Sequence, residues 1–352
     1  MAQREKPAAP TSIRPTDKTM TPFYPLTFTP VLKDYIWGGR SLAIRLGRSL
    51  PPDTGIAESW EIAAHENGDV TVANGPLTGQ SLSSLREEFG PDLIGTRGQW
   101  AQEQGKFPLL IKLLDASRRL SVQVHPDDAY AQAHEGNELG KSEMWVILHA
   151  EPGASIILGV KAGTGPEQFR QAVAEERLED YLHEIPVQTG DFVCVPAGSL
   201  HAILGGLLIA EIQQNSDTTY RVYDWGRLGH DGRPRPLHVE QALDVINFEQ
   251  VEPALPQQRY LSEVDGVTRW ELCRSPYFVV ERVEMDAGSV WAGTCAGESL
   301  QIWGTISGEA SVSGGGERVP LPAVTFTLLP AALGPYTLTA GEDTTLLRAY
   351  LP

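Results

Sequence analysis

The sequence predicts a mostly β protein of two domains, with a few helices at its periphery. Three observations predict it. Glycine and proline punctuate the chain, 35 and 26 of its 352 residues, a density that suits short strands joined by turns rather than long helices. Apolar residues recur at period 2, as where Val324, Phe326 and Leu328 alternate with Thr325, Thr327 and Leu329. A polar, proline-bearing stretch, Glu249 to Gln258, divides the chain and reads as a linker.

The elements follow in order. Residues 1–20 are polar, carry several prolines and show no periodicity, so a disordered lead-in is expected, with Met1 or Met20 as the true start. Residues 21–250 form the first domain. Strands are expected over Leu120–His125, over Lys141–Leu148 and over Val187–Val195. Short helices are expected around 80–89, 126–135 and 238–246. Asp127 and Asp128 fall in a first helical turn, where carboxylates favour the helix dipole. The clearest helix runs from Pro166 to Leu182, with Thr164 and Glu167 as a capping box and Phe169, Val173, Leu178, Tyr181 and Leu182 on one face. Residues 262–352 form a second β domain. All eight histidines lie between His65 and His238, and all seven lysines at or before Lys161. Chemistry that needs an imidazole or an amine therefore belongs to the first domain, and the second is structural.

Composition narrows the function. Apolar residues make up 41% and charged residues 21% of the chain, an ordinary globular balance. A formal net charge of −17 repels nucleic acid and anionic membrane surfaces, so neither is an expected partner. No apolar run reaches the roughly 18–20 residues of a membrane helix. The first twenty residues lack the apolar core of a secretory signal. The cysteines, Cys194, Cys273 and Cys295, are odd in number and far apart, which suits reduced thiols and a cytoplasmic location. Cys194 is expected to be an inert thiol.

Three segments carry the chemistry. On a strand, Ser121, Gln123 and His125 share one face and Val122 and Val124 the other. A hydroxyl, an amide and an imidazole make a poor core and a good ligand wall. Lys141, Glu143 and Trp145 share a face in the same way. The third segment is Gly190-x5-Pro196-x-Gly198-x2-His201. Its spacing resembles the second signature of the cupin superfamily, which holds metal ligands inside a small β-barrel. The first signature's place holds Gln123-x-His125, with Glu143 eighteen residues later. The fold expected from this resemblance is two cupin-like β-barrel (jelly-roll) domains, the second without metal ligands. Two imidazoles, one carboxylate and one amide suit Zn²⁺, one per chain, or another divalent first-row cation.

Longer stretches resemble the type I mannose-6-phosphate isomerases in their short bacterial form. They include Tyr35 to Arg40, Ile56 to Glu61, Ile111 to Ala116, Leu120 to Asp128, Gly140 to Trp145, Pro196 to Ala202 and Glu211 to Arg227. The resemblance implies a zinc-dependent aldose–ketose isomerase that interconverts mannose 6-phosphate and fructose 6-phosphate through an enediol(ate). It implies His125, Glu143, His201 and Gln123 as metal ligands and Arg221 as the active-site arginine. Lys141 is its expected catalytic companion, and Ser121, Lys112 and Arg227 are weaker candidates for binding the phosphosugar. The base is not named by the sequence. Two other classes stay open: an Fe(II) oxygenase on the same ligand set, and a non-catalytic sugar-binding protein on two barrels. The acidic charge and the lack of an apolar stripe are compatible with a monomer, and a small homo-oligomer stays open. His65, His134 and His149 read as core or surface residues, and Trp37, Trp60 and Trp145 as packing. Asp217, Asp224 and Arg227 read as ion pairs around Arg221.

Overall fold

The computed structural model describes residues 23–229 and 231–352, so the expected lead-in over 1–20 lies outside the described residues. The first half carries eleven longer strands. They are β1 (Val31–Lys33), β2 (Glu58–Ile62), β3 (Leu109–Ala116), β4 (Val122–Val124), β5 (Glu143–Ala150) and β6 (Ser155–Val160). The remainder are β7 (Leu182–Pro186), β8 (Phe192–Val195), β9 (His201–Ile203), β10 (Leu207–Gln214) and β11 (Tyr220–Tyr223). They form a six-stranded antiparallel sheet in the order β8-β5-β10-β3-β2-β1 and a five-stranded one in the order β7-β6-β9-β4-β11. The second half adds a six-stranded and a four-stranded antiparallel sheet.

Both sequence-derived expectations about fold class need correction. Every sheet is open, with two edge strands, and none closes into a barrel. The cupin-like jelly-roll description therefore fails. The helices are also more than peripheral, and the fold is mixed α/β. Leu82–Phe89 and Pro91–Ile94 are helical and bury Leu82, Leu85, Leu93 and Ile94 completely. Their ends bond across to the second half, where Leu300 N–H donates to Ile94 O at 2.9 Å and Ala331 N–H to Leu93 O at 3.0 Å. A turn-rich sequence with period-2 runs reports strands but not whether their edges meet, because closure depends on strand tilt and stagger.

The central sheet is covered on both faces. Ile111, Met144, Ala210 and Ile212 pack with Val280, Ile302, Leu328 and Leu347 of the second half. From its other face Ala57, Trp145, Ile147, Val193 and Ile209 pack with Ile156, Leu158 and Ile203 of the five-stranded sheet. That burial explains the near-continuous apolar sequence of β3 and β10.

Helices occur at Asp128–His134 and Val239–Val245. The helix expected over Pro166–Leu182 is shorter, Pro166–Ala174, followed by a 3₁₀ turn at Leu178–Tyr181. Gly165, not Thr164, caps it: its N–H donates to Gln168 Oε1 at 3.2 Å. Glu176 then takes a left-handed φ of 58°, which ends the helix. Cys194 is not a free thiol. It is paired with Cys273 across a Cα separation of 6.0 Å, joining β8 to the second half, while Cys295 stays free and buried. Seventy-nine residues separate the pair in sequence, so only the packing of one half on the other brings them together.

Candidate metal centre and active site

The site lies between the central sheet and the five-stranded sheet. In the latter, β9, β4 and β11 are neighbours, and their register sets His201 and Arg221 on either side of Gln123. In the former, a second row crosses β5, β10, β3 and β2: Trp145 opposite Glu211, Glu211 opposite Lys112, and Lys112 opposite Trp60. Gln123 and Arg221 of the first row and Trp145, Glu211 and Lys112 of the second line one cavity of about 320 Å³.

Local turns aim the key side chains. After β4 the chain passes Pro126, and Asp127 caps the next helix by accepting from Tyr130 N–H at 2.8 Å. Asp128 accepts from Gly140 N–H at 2.7 Å and from the Gln214 amide at 3.0 Å. Lys141 N–H then donates to Pro126 O at 2.9 Å, which starts β5 beside His125. Gly140 is needed there, because a Cβ would stand 2.5 Å from the Asp127 carbonyl carbon. On the other side Gly198, at φ 85°, donates to His125 O at 2.9 Å and swings His201 inward.

His125, Glu143 and His201 converge, with one nitrogen or oxygen from each within 4.8 Å of the others, and all three are buried. His125 Nδ1 lies 2.8 Å from Thr218 O and His201 Nδ1 lies 3.0 Å from Ser199 O. A carbonyl only accepts, so each ring carries its proton on Nδ1 and turns an Nε2 lone pair inward. His125 Nε2 is 3.2 Å from Glu143 Oε1, and His201 Nε2 is 3.8 Å from Glu143 Oε2 and 3.3 Å from the Gln123 amide. Burial, with Lys141 nearby, pushes His125 down to about 3, and burial lowers His201 as well, so both rings stay neutral. Burial alone would raise Glu143, but Lys141, His125 and His201 hold its carboxyl well below the usual range. The Lys141 ammonium sits 2.9 Å from Glu143 Oε1 and 3.3 Å from His125 Nε2. Two inward lone pairs, a carboxylate and an amide, already drawing in a cation, fit a divalent metal ion.

The other candidates divide. Ser121 lies in the cavity, accepting from Arg221 Nε at 3.2 Å and donating to Gln123 Oε1 at 3.2 Å. Lys112 lies in it too but is buried between Glu58 at 3.5 Å and Glu211 at 3.7 Å, with the Trp60 ring 4.9 Å away. Burial would lower its pKa; the two carboxylates more than reverse this. Arg227 is not among the lining residues. It bonds Asp224 at 2.5 Å and Arg119 O and borders a separate cavity with Trp225. Asp224 thus does form an ion pair near Arg221, whereas Asp217 accepts from Asn67 at 2.9 Å.

Several lining residues escape a reading of the sequence: Glu58, Glu211, Arg235 and His238, while Asp217, expected only as an ion-pair partner near Arg221, also lines the cavity. Glu211 carried a usable signal. It is the lone carboxylate in the apolar run Leu207–Gln214, and it accepts from Trp145 Nε1 at 2.9 Å. Burial, helped by Glu143 and opposed by Lys112 and Lys141, pushes it up to about 8.

The model of the phosphomannose isomerase type I catalytic domain matches residues 26–140. Along most of its length the chain is 40% identical over 306 residues to a mannose-6-phosphate isomerase of Streptococcus mutans, covering 87% of this chain and 92% of that one. It is 38% identical over 317 residues to the mannose-6-phosphate isomerase ManA of Bacillus subtilis, covering 89% and 95%. The chain belongs to the type I mannose-6-phosphate isomerases. A crystal structure of the Bacillus subtilis mannose 6-phosphate isomerase superposes with a TM-score of 0.82 at 35% identity, covering 93% of this chain and 99% of that one. The match of the type I catalytic domain stops at Gly140, just before Lys141 and Glu143, so the second half of the site is read from the geometry. Among the described residues, no helix is long and apolar enough to cross a membrane.

Proposed function

We propose that this chain interconverts mannose 6-phosphate and fructose 6-phosphate, using one divalent cation, zinc by preference, held by His125, Glu143, His201 and Gln123. The observation that carries this reading is the convergence of two inward Nε2 lone pairs on a buried carboxylate at the end of a polar cavity. The cavity has the size of small-ligand sites generally. Such a cation, when bound, supplies Lewis-acid polarisation of the sugar oxygens at C1 and C2.

The chain's own groups do the rest. Aldose–ketose isomerisation carries a proton between C2 and C1 through an enediol(ate). His125 and His201 are poor mobile bases, since Nδ1 of each is committed to a carbonyl and Nε2 to the cation. Glu211 faces the cavity with a carboxyl that exchanges its proton near neutral pH, and we assign it the proton transfer. Lys141 and Arg221 face the negative charge that develops on the oxygens. Arg221 is fixed for this by Ser121 and by its Nη1 bond to Pro236 O at 3.0 Å. Lys112 holds Glu211 and Glu58 apart rather than meeting the phosphate. A phosphosugar does not cross a lipid bilayer unaided, and we infer a cytoplasmic location for the enzyme.

Chelation of the purified protein abolishes fructose 6-phosphate formation from mannose 6-phosphate, and added zinc restores it in a coupled assay. Turnover that survives complete metal removal sinks the reading. Oxygen uptake with iron, or sugar binding without turnover when zinc is loaded, would replace it with the other classes. Arg221→Ala keeps the metal and loses about 10²–10³-fold in kcat. Near-normal kcat in that variant removes Arg221 from the charge-stabilising role.

A further inference from the structure

The charges around the cavity are segregated. Lys112 feels Glu58, Glu211, Asp217 and Glu143, and Lys141 is the other lysine that lines the cavity among the described residues. That end holds four carboxyl groups, of which Glu211 keeps its proton up to about 8, and two amines. At the other end Arg221 has as charged neighbours Arg235, Asp224 and Arg227, three guanidinium groups against one carboxylate. A phosphate close to a dianion is drawn to the second end, where guanidinium groups outnumber the one carboxylate, while the cation proposed at Glu143 is committed to the sugar oxygens. In a chain of net charge −17 no broader field would hold it.

The three guanidinium groups are not equivalent. Arg227 is turned out of the cavity onto Asp224 and Arg119 O. Arg221 is held by Ser121 and Pro236 O through Nε and Nη1 and is assigned above to the reacting oxygens. Arg235 lines the cavity and grips Asp224 with two parallel bonds, Nε to Oδ2 at 2.8 Å and Nη2 to Oδ1 at 2.6 Å. Its Nη1 has no protein partner among the described residues. A bidentate carboxylate fixes the plane of a guanidinium, so little ordering entropy is left to lose when an anion arrives. The segment that carries Arg235 is itself pinned to β11, with His238 N–H donating to Arg221 O at 2.7 Å and Arg221 N–H donating to His238 Nδ1 at 3.3 Å. With Nδ1 accepting, the ring proton of neutral His238 is on Nε2, and His238 also lines the cavity.

We infer that Arg235 is the residue that recognises the substrate's phosphate, with His238 beside it, and that Asp224 is the positioning residue that holds Arg235 ready. The inference rests on the phosphosugar reading of the site. It sets the sugar's direction: phosphate at Arg235, C1 and C2 toward Glu143 and Glu211.

The test uses the zinc-loaded full chain, its Arg235→Ala, Arg235→Lys and Asp224→Asn variants, and inorganic phosphate as an inhibitor. Arg235→Ala raises KM for mannose 6-phosphate and the inhibition constant of phosphate together, each by about 10–100-fold, the worth of one charge-assisted hydrogen bond. Its kcat stays within about threefold and its bound zinc is unchanged, a split that misfolding would not produce. Arg235→Lys recovers part of the loss. Asp224→Asn, with Arg235 still present, gives an intermediate rise in both constants. Wild-type phosphate inhibition in Arg235→Ala overturns the inference and leaves the isomerase reading intact. So does a loss confined to kcat. A zinc-loaded parent chain that binds phosphate but never turns over mannose 6-phosphate overturns the isomerase reading instead.

Discussion

His125→Ala and His201→Ala each give a chain with no stoichiometric zinc and turnover at least about 10³-fold below the parent. The two rings supply the inward Nε2 lone pairs, and among the described residues no other histidine lies in the cluster with Glu143. His65, which gathers with Glu66 and Glu138 in a second cluster of potential ligands, cannot replace them. Its Nδ1 accepts from Asn67 N–H at 3.1 Å, so a neutral ring carries its proton on Nε2, which faces Glu138 at 3.5 Å. Loss of either ring also leaves Glu143 buried with fewer partners, so its carboxyl, held low in the parent, moves upward. Metal content by atomic absorption, read beside circular dichroism, separates loss of zinc from loss of fold. Full metal stoichiometry in a folded variant would falsify that ligand's assignment.

Glu211→Gln lowers kcat by about 10²–10⁴-fold while zinc stays bound. The carboxyl faces the cavity from β10 and is pushed up to about 8 by burial and by Glu143. Where Glu211 acts as the proton carrier, the pH profile of the parent has a limb near that value, and the amide variant lacks it. Stability shifts with it. A folded-state pKa raised above the unfolded one means that the folded chain binds the extra proton, so Glu211's contribution is full below the unfolded value and is lost as pH rises to about 8. Glu211→Gln removes that slope, and its denaturation midpoint gains on the parent between acid and mildly alkaline pH. An unchanged rate profile together with an unchanged slope leaves Glu211 as a packing residue for Trp145.

Some of this was legible in residue order and some was not. Period 2 over Ser121, Gln123 and His125 correctly put three polar side chains on one face, because alternation in a strand is local geometry. The reason that face is buried is not local: β4 lies between β9 and β11, and its valines fill the core behind it. Glu211 was hidden inside a stretch that looks like pure core. Its partner Lys112 reads like any amine in a strand, although both are almost fully buried. Arg227 and Arg235 illustrate the limit best. The nearer arginine belongs to the Tyr-Asp-Trp-Gly-Arg run that ends β11 and is the one named as a candidate. Trp225 and Gly226 take left-handed φ values of 59° and 67°, and the tight turn they make brings Arg227 back onto Asp224, away from the cavity.

By itself, then, the amino-acid order determined the inventory of donors and their spacing from Gln123 to His201, the acidic balance that excludes nucleic acid, and the strand-rich character of the chain. Those properties depend on residue type and on short-range periodicity, which the linear order contains in full. Tertiary structure alone decided that the sheets stay open, that Cys194 meets Cys273, that Glu211 shares the cavity with Lys112, and that Arg235 rather than Arg227 faces it. Each of these depends on register between strands distant in sequence or on the sign of φ at a single turn, and a small change in either moves a side chain to the opposite face.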